Sequence, residues 1–348
     1  MAAEKRIGFV GVGNMGQCAH LLNYTDLEGC EVVAIAEIRP ELAARVASRY
    51  EVPKVYADHR DMLAAESLDG IVAAQPFTRH GVLLPELYEA GVPVLTEKPL
   101  ARSVQVGRRL LEAGGQHVLG YHKRSDPAVL HAVERIGQLR GSGELGALRY
   151  VRVLMPAGDW IANGFTHLVQ STESVPSLES DPPPEDMDEA MAGAYQAVVN
   201  YYIHQINLMR HLMGESYHVT FADRQGVLLA TESESGVVGA LEMSPYRTSI
   251  DWQEQVLVAF ERGYLEIELP APLASNRPGR VREYADAGDG RTPVASEPQL
   301  PWVGAMRQQA THFVQLLNGQ TTCLCAAPEA LEDLEVARDA LLMKGQPS

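Results

Sequence analysis

The sequence predicts an α/β protein of two domains: a parallel sheet covered by helices on both faces, then a second α/β domain on a largely antiparallel sheet. Three observations predict it. Up to about residue 125, short apolar runs alternate with segments of helical period. A glycine-rich turn, Gly11-Val-Gly13-Asn-Met-Gly16, directly follows the first of those runs. After residue 217, strand-like runs succeed one another with short connections.

In order, the N-terminal strands are expected at 6–11, 31–37, 68–74, 92–95 and 116–120. Between them lie helical patterns such as Pro40 to Tyr50, with proline in the first turn, and His80 to Ala90, closed by Gly91. Repeated strand and helix units favour a parallel sheet. After residue 125 the expected elements are a helix over 126–140 and a strand over 148–155. An acidic insertion over 156–192 follows, carrying Pro182, Pro183 and Pro184. Next come one long helix over about 193–213 and strands at 217–222, 226–232, 236–243, 254–260 and 263–269. A Pro, Gly and Arg-rich stretch over 270–301 reads as a surface loop, and helices over 304–317 and 328–343 close the chain. The domain boundary is placed at 123/124, with the closing helices free to pack back on the first domain.

Composition narrows the function classes. A length of 348 residues supports two domains, and 46% hydrophobic with 21% charged residues is an ordinary globular balance. No apolar run is long enough to span a bilayer, so a membrane partner is not expected. Acids exceed bases by 45 to 29 with no basic cluster, so nucleic acid is not expected as a partner either. Cys18, Cys30, Cys323 and Cys325 match no zinc spacing, and nothing in the pattern requires a metal. Met1 to Arg6 lack a secretory signal pattern, so a cytoplasmic protein is the expectation.

The glycine turn is the first chemical signal. Gly11, Gly13 and Gly16 permit a tight turn and a close backbone approach, so that a helix N-terminus faces a pyrophosphate. Alone the pattern is also compatible with a turn that binds nothing. Glu37, 21 residues after Gly16 at the end of the second strand, stands where an acid receives the adenosine ribose hydroxyls. That favours NAD, although Arg39 could pair with a 2′-phosphate and leave NADP open. Glu37 could equally be an exposed acid at a strand end. Thr96-Glu97-Lys98-Pro99 follows the fifth strand at the ligand-binding edge of such a sheet, where Lys98 is either catalytic or merely solvated.

Several separate segments together resemble the Gfo/Idh/MocA family of sugar oxidoreductases, which includes glucose-fructose oxidoreductases and inositol dehydrogenases. They are Gly11 to Gly16, Gln75-Pro76-Phe-Thr-Arg-His80, Glu97-Lys98-Pro99, Gly120-Tyr121-His-Lys-Arg124-Ser-Asp126-Pro127, Leu212-Met-Gly214 and the strand beginning at Gly236. The resemblance implies an N-terminal Rossmann domain and a C-terminal α/β domain whose open sheet supports a homodimer or homotetramer. It implies cofactor contacts from Gly11, Gly13, Asn14, Met15, Gly16, Glu37, Arg39, Pro76, His80, Glu97 and Lys98, with Pro99 following a cis peptide. Tyr121, His122 and Arg124 would lie near the substrate, although His122 and Lys123 depart from the more usual Asn-Arg. The family places an acid and a histidine four residues apart on the long helix; here those positions hold Asn200 and His204.

The helix is informative by itself. At about 100° per residue, Gln196, Asn200, His204, Asn207 and His211 form one stripe without Lys or Glu, which suits a wet pocket or a buried polar seam. In the pocket reading His204 is the base for a hydroxyl proton, Lys98 steadies the alkoxide, and Asn200 and Asn207 bind substrate hydroxyls or orient His204. As a seam, His204 is a satisfied core histidine. The expected activity is hydride transfer between nicotinamide and a secondary hydroxyl or ketone of a sugar, sugar derivative or cyclitol. Two other readings stand beside it: reduction of a non-sugar carbonyl, and a cofactor-sensing regulator without catalysis.

Overall fold

The computed structural model describes residues 4–344; residues 1–3, where the stretch read for a leader begins, and 345–348 lie outside the described residues. The chain forms two compact units. The first gathers residues 4–121, 163–192 and 306–334, and the second 122–162, 193–305 and 335–344. The first crossover thus falls at 121/122 instead of 123/124. Much of the expected insertion belongs to the first unit instead of the second.

The first unit is built on parallel strands β1 (Lys5–Val10), β2 (Cys30–Ala36), β3 (Lys54–Tyr56), β4 (Gly70–Ala73), β5 (Val94–Thr96) and β6 (His117–Leu119), in the order β6-β5-β4-β1-β2-β3. The order reverses at β1, which β2 and β4 flank, and the crevice outside the carboxyl ends of such strands is where ligands bind. The strands are buried almost throughout, as in sheets covered on both faces. Phe9 of β1 meets Tyr24 edge to face at 5.5 Å, and Tyr24 meets Phe313 at 6.4 Å. Each such side chain, fully enclosed, contributes about 1.5–3 kcal/mol of burial free energy. Phe313 lies on the helix Ala305–Leu317, which packs so closely that a Cβ on Gly70 would come within 2.9 Å of Leu317.

The second unit carries β7 (Leu148–Ala157), β8 (Tyr217–Ala222), β9 (Leu228–Ser233), β10 (Val238–Arg247), β11 (Gln255–Phe260), β12 (Gly263–Glu268), β13 (Arg280–Ala285) and β14 (Val294–Ser296). They follow the order β14-β13-β12-β11-β7-β10-β9-β8, antiparallel except where β7 meets β10. The helices Pro127–Ser142 and Ile203–Met213 cover one face; a Cβ on Gly239 of β10 would touch Met209 and Met213. Val256, Val258 and Phe260 point into that core, while Leu257 alternates outward and stays half-buried. The last strand, β15 (Cys325–Ala326), returns to the first sheet antiparallel to β6.

Two expectations are corrected. The stretch 270–301 contains β13 and β14, whose charged and exposed residues conceal the strand pattern. The expected long helix is two, Glu189–Tyr201 and Ile203–Met213, interrupted at Tyr202 (φ −93°, ψ −2°). Among the described residues, no helix is long and apolar enough to cross a membrane.

Candidate functional site

In the first unit the glycine turn lies at the carboxyl end of β1. Gly11 adopts φ +87°, and a Cβ there would lie 2.3 Å from the Gln75 amide. A Cβ on Gly16 would fall 2.5 Å from the carbonyl oxygen of Gly11, so the opening of the next helix can press against the turn only with glycine at that place. Gly13 differs: its nearest neighbour would be the Arg39 guanidinium at 3.8 Å. Space is therefore kept at Gly13, beside Asn14 and Met15 at the start of a helix whose first-turn N–H groups have no helical acceptor. A pyrophosphate fits that cradle.

Glu37 follows β2 and is buried. Its Oε2 accepts from the Val12 N–H at 3.1 Å, which ties the acid to the glycine turn, and its Oε1 accepts from the Arg39 N–H and Nε at 3.2 and 2.7 Å. The hydrogen bond from Arg39 to Glu37 chiefly pushes the guanidinium pKa up, against burial. Glu37 thus holds the position expected of a ribose acceptor, with Arg39 engaged beside it.

Glu97 and Lys98 follow β5, and the Lys98-Pro99 bond is cis. The His20 Nε2 lies 2.7 Å from Glu97 Oε1, so the turn is clamped to the segment Gly16–Leu21 that follows the glycine loop. Burial opposes ionisation of Glu97, but the bond with His20 and the charges of His20 and Lys98 outweigh it and hold the carboxyl below its ordinary range. His80 is completely enclosed; its Nδ1 is 3.0 Å from the Leu100 carbonyl, and burial depresses its pKa. His80, expected at the cofactor, lies against the turn after Lys98. Pro76 opens the short helical turn Phe77–Arg79 that leads to His80. Tyr121 is enclosed beyond β6, with its N–H donating to the Leu119 carbonyl at 2.8 Å.

In the second unit His122 and Arg124 lie on the turn His122–Ser125, against the helix Ile203–Met213. The rings of His122 and His204 meet edge to face at 4.7 Å. Arg124 Nε donates to Asn207 Oδ1 at 2.8 Å, and both residues are enclosed. Arg124 and Asn207, both expected near the substrate, are thus paired with each other. Asn200 is exposed on the preceding helix, so the stripe from Gln196 to His211 spans two helices.

These geometries describe a dinucleotide cradle in one unit and a histidine pair in the other. Residues 5–118 match the Gfo/Idh/MocA family, described as an oxidoreductase family with an NAD-binding Rossmann fold. That match and the inositol 2-dehydrogenase homologues support the Gfo/Idh/MocA family. Among its relatives is an inositol 2-dehydrogenase of Corynebacterium glutamicum, 27% identical over 320 residues that cover 88% of this chain and 87% of the relative. An inositol 2-dehydrogenase 4 of Saccharopolyspora erythraea is 33% identical over 129 residues, 36% of this chain and 38% of that protein. The fold is shared with an NAD binding oxidoreductase from Klebsiella pneumoniae, at a TM-score of 0.75 and 17% identity over 98% of this chain and 97% of that one. This protein is an NAD-dependent oxidoreductase.

Sequence reasoning missed the buried support of the histidine turn. Lys123 Nζ lies 2.5 Å from Glu254 Oε2, and Gln205, next to His204 in the chain, donates to Glu254 Oε1 at 2.8 Å. Lys123 also stands 5.6 Å from the centre of the Trp252 ring. Lys123 was visible as a departure from the family segment, but nothing local marks Glu254, 131 residues away. His20 was equally unmarked; its clue was only its place four residues after Gly16.

Proposed function

We propose that this oxidoreductase acts on a secondary hydroxyl, or the corresponding ketone, of a sugar, sugar derivative or cyclitol, with Lys98 and His204 as its catalytic residues. The observation that carries the reading is the turn after β5: Lys98 leaves the carboxyl edge of the parallel sheet beside an ionised Glu97 that is clamped to the glycine-turn segment. The kinship with inositol 2-dehydrogenase over most of the chain supports a polyol. Bound NAD supplies the hydride acceptor. The chain's own work is proton handling. The His204 imidazole takes the hydroxyl proton, its ring seated against His122, and the Lys98 ammonium stabilises the developing alkoxide. In reduction the same groups return the proton to the ketone oxygen.

The test is absorbance at 340 nm with NAD+ against a panel of inositols, sugars and aminosugars. Lys98→Ala and His204→Ala are each expected to lower kcat/KM by about 100-fold or more. Cofactor binding without turnover on any polyol, in either direction, would replace this reading with the regulatory one.

We also infer a homodimer or homotetramer through the outer face of the second sheet, where Tyr264 and Tyr284 stack at 5.6 Å and Arg152 pairs with Glu242. Light scattering coupled to gel filtration checks it, and a monomer at micromolar concentration refutes it. A cytoplasmic location is part of the same reading, supported by the reduced thiols of Cys18 and Cys30.

A further inference from the structure

Residues 163–192 run along the first unit close to the glycine turn. Gln17 grips them at one end: its Nε2 donates to the Val169 carbonyl at 3.1 Å and to the Val12 carbonyl at 2.8 Å, while its Oε1 accepts from the Val169 N–H at 3.0 Å. At the other end Asp181 accepts from the Gly81 N–H at 2.9 Å and donates its own N–H to the Thr78 carbonyl at 2.7 Å. Between these anchors the Glu173 carboxylate rests on the start of the helix Pro40–Tyr50, accepting from the N–H groups of Glu41 at 3.2 Å and Leu42 at 3.0 Å.

Pro40 has no N–H, so Glu41 and Leu42 are the first two donors this helix offers, and Glu173 takes both. They lie two and three residues after Arg39, whose guanidinium reaches from Glu37 toward the open space at Gly13. A 2′-phosphate on the ribose held by Glu37 would seek this guanidinium and these donors. We propose that Glu173 is a cofactor-specificity residue: it fills the niche a 2′-phosphate requires, and with Glu37 it makes the site selective for NAD over NADP. A phosphate brought there would face two carboxylates against one guanidinium, and the helix donors would already be spent. The carboxylate is a durable occupant. Partial burial works against its charge, but the Leu42 and Glu41 N–H groups, Ser171 and Arg39 hold its pKa below the ordinary carboxylate range.

The proposal rests on NAD binding at the glycine turn, which NAD+ titration of the wild type tests independently. Calorimetric titration of the full chain with 5′-AMP, 2′,5′-ADP, NAD+ and NADP+ compares the wild type with Glu173→Gln and Glu173→Ala. Glutamine keeps an acceptor oxygen and removes the charge; alanine also vacates the niche. The affinity for 2′,5′-ADP relative to 5′-AMP is expected to rise about tenfold in Glu173→Gln and further in Glu173→Ala, the size of one like-charge contact at a surface. NADP+ should gain in parallel, while NAD+ stays within about threefold of the wild type. A ratio that moves less than about threefold in Glu173→Gln, the variant least disturbing to the fold, overturns the proposal. So does a wild type that already prefers 2′,5′-ADP.

Discussion

Replacing Lys123 by methionine tests whether the histidine turn depends on its buried ion pair. The Lys123 ammonium and the Glu254 carboxylate are 4% and 1% exposed, and they meet at 2.5 Å. Methionine keeps most of the stem that packs near Trp252 but leaves the Glu254 charge enclosed, with Gln205 as its remaining hydrogen-bond donor on this side. Stranding one member of a buried pair costs about 3–5 kcal/mol. At about 2–4 °C per kcal/mol for a unit of this size, the melting temperature should fall by about 6–20 °C. Scanning calorimetry at pH 7 reads the shift. The companion is the double variant Lys123→Met/Glu254→Leu, in which no charge is stranded, and it should recover most of the loss. The function should suffer as well, because the turn that carries His122 loses its tie to the start of β11 while the His204 helix loses the Gln205 contact geometry. A single variant within about 2 °C of the wild type, or a double variant no more stable than the single, refutes the reasoning.

The last two glycines of the turn should separate binding from folding. Gly13→Ala, with no atom nearer than 3.8 Å to the new methyl, is expected to melt like the wild type yet lose about tenfold or more in NAD+ affinity by calorimetric titration. Gly16→Ala, whose methyl would lie 2.5 Å from a backbone oxygen, should melt lower as well, by the roughly 1–3 kcal/mol of an overpacked site. Equal behaviour of the two variants would sink this account of the turn. Asp126 gives a pH prediction: burial lifts its pKa to about 6 from an ordinary 3.8, against hydrogen bonds from Ala128 and Gly279 and the charge of Lys123. The folded state therefore holds an extra proton between those values, so this residue's contribution to stability falls as pH rises through that window and is flat above it. Asp126→Asn should remove that component, seen as a smaller wild-type-minus-variant advantage at pH 7 than at pH 4.5 in urea midpoints; a constant difference refutes it.

The alternation of strands and helices up to residue 125 was legible because each apolar run is bounded by strong punctuation, such as Pro40 at a helix start and Gly114 at a helix end in left-handed conformation. The glycine turn was legible for the same local reason: Gly11 takes a left-handed φ and Gly16 must clear the Gly11 carbonyl oxygen, demands set within a few residues of sequence. What was missed depends on tertiary burial. Tyr202 interrupts a helix without proline or glycine, so no residue announces the break between Asn200 and His204. Val281 and Glu283 of β13 alternate inward, but the arginines and acid around them read as a loop. The placement of 163–192 in the first unit depends on contacts between residues about 100 or more positions apart, such as Gln17 with Val169, Glu173 with Leu42 and Asp181 with Gly81.

The acid absent at Asn200 has a bearing on the chemistry. A carboxylate does reach the neighbourhood of the His204 helix, but it comes from Glu254 and is matched by Lys123 at 2.5 Å. A matched pair presents little net charge to a nearby imidazole, so Glu254 does not replace the missing acid as an electrostatic partner for His204. Its part is mechanical: through Gln205 and Lys123 it ties the helix of His204 and the turn of His122 to one strand end. In the proposed mechanism, the activation of the substrate hydroxyl then falls more heavily on Lys98 than on His204. On this argument Lys98→Ala should be the more damaging of the two catalytic substitutions, and a larger loss in His204→Ala would show that the imidazole works as a strong base without it.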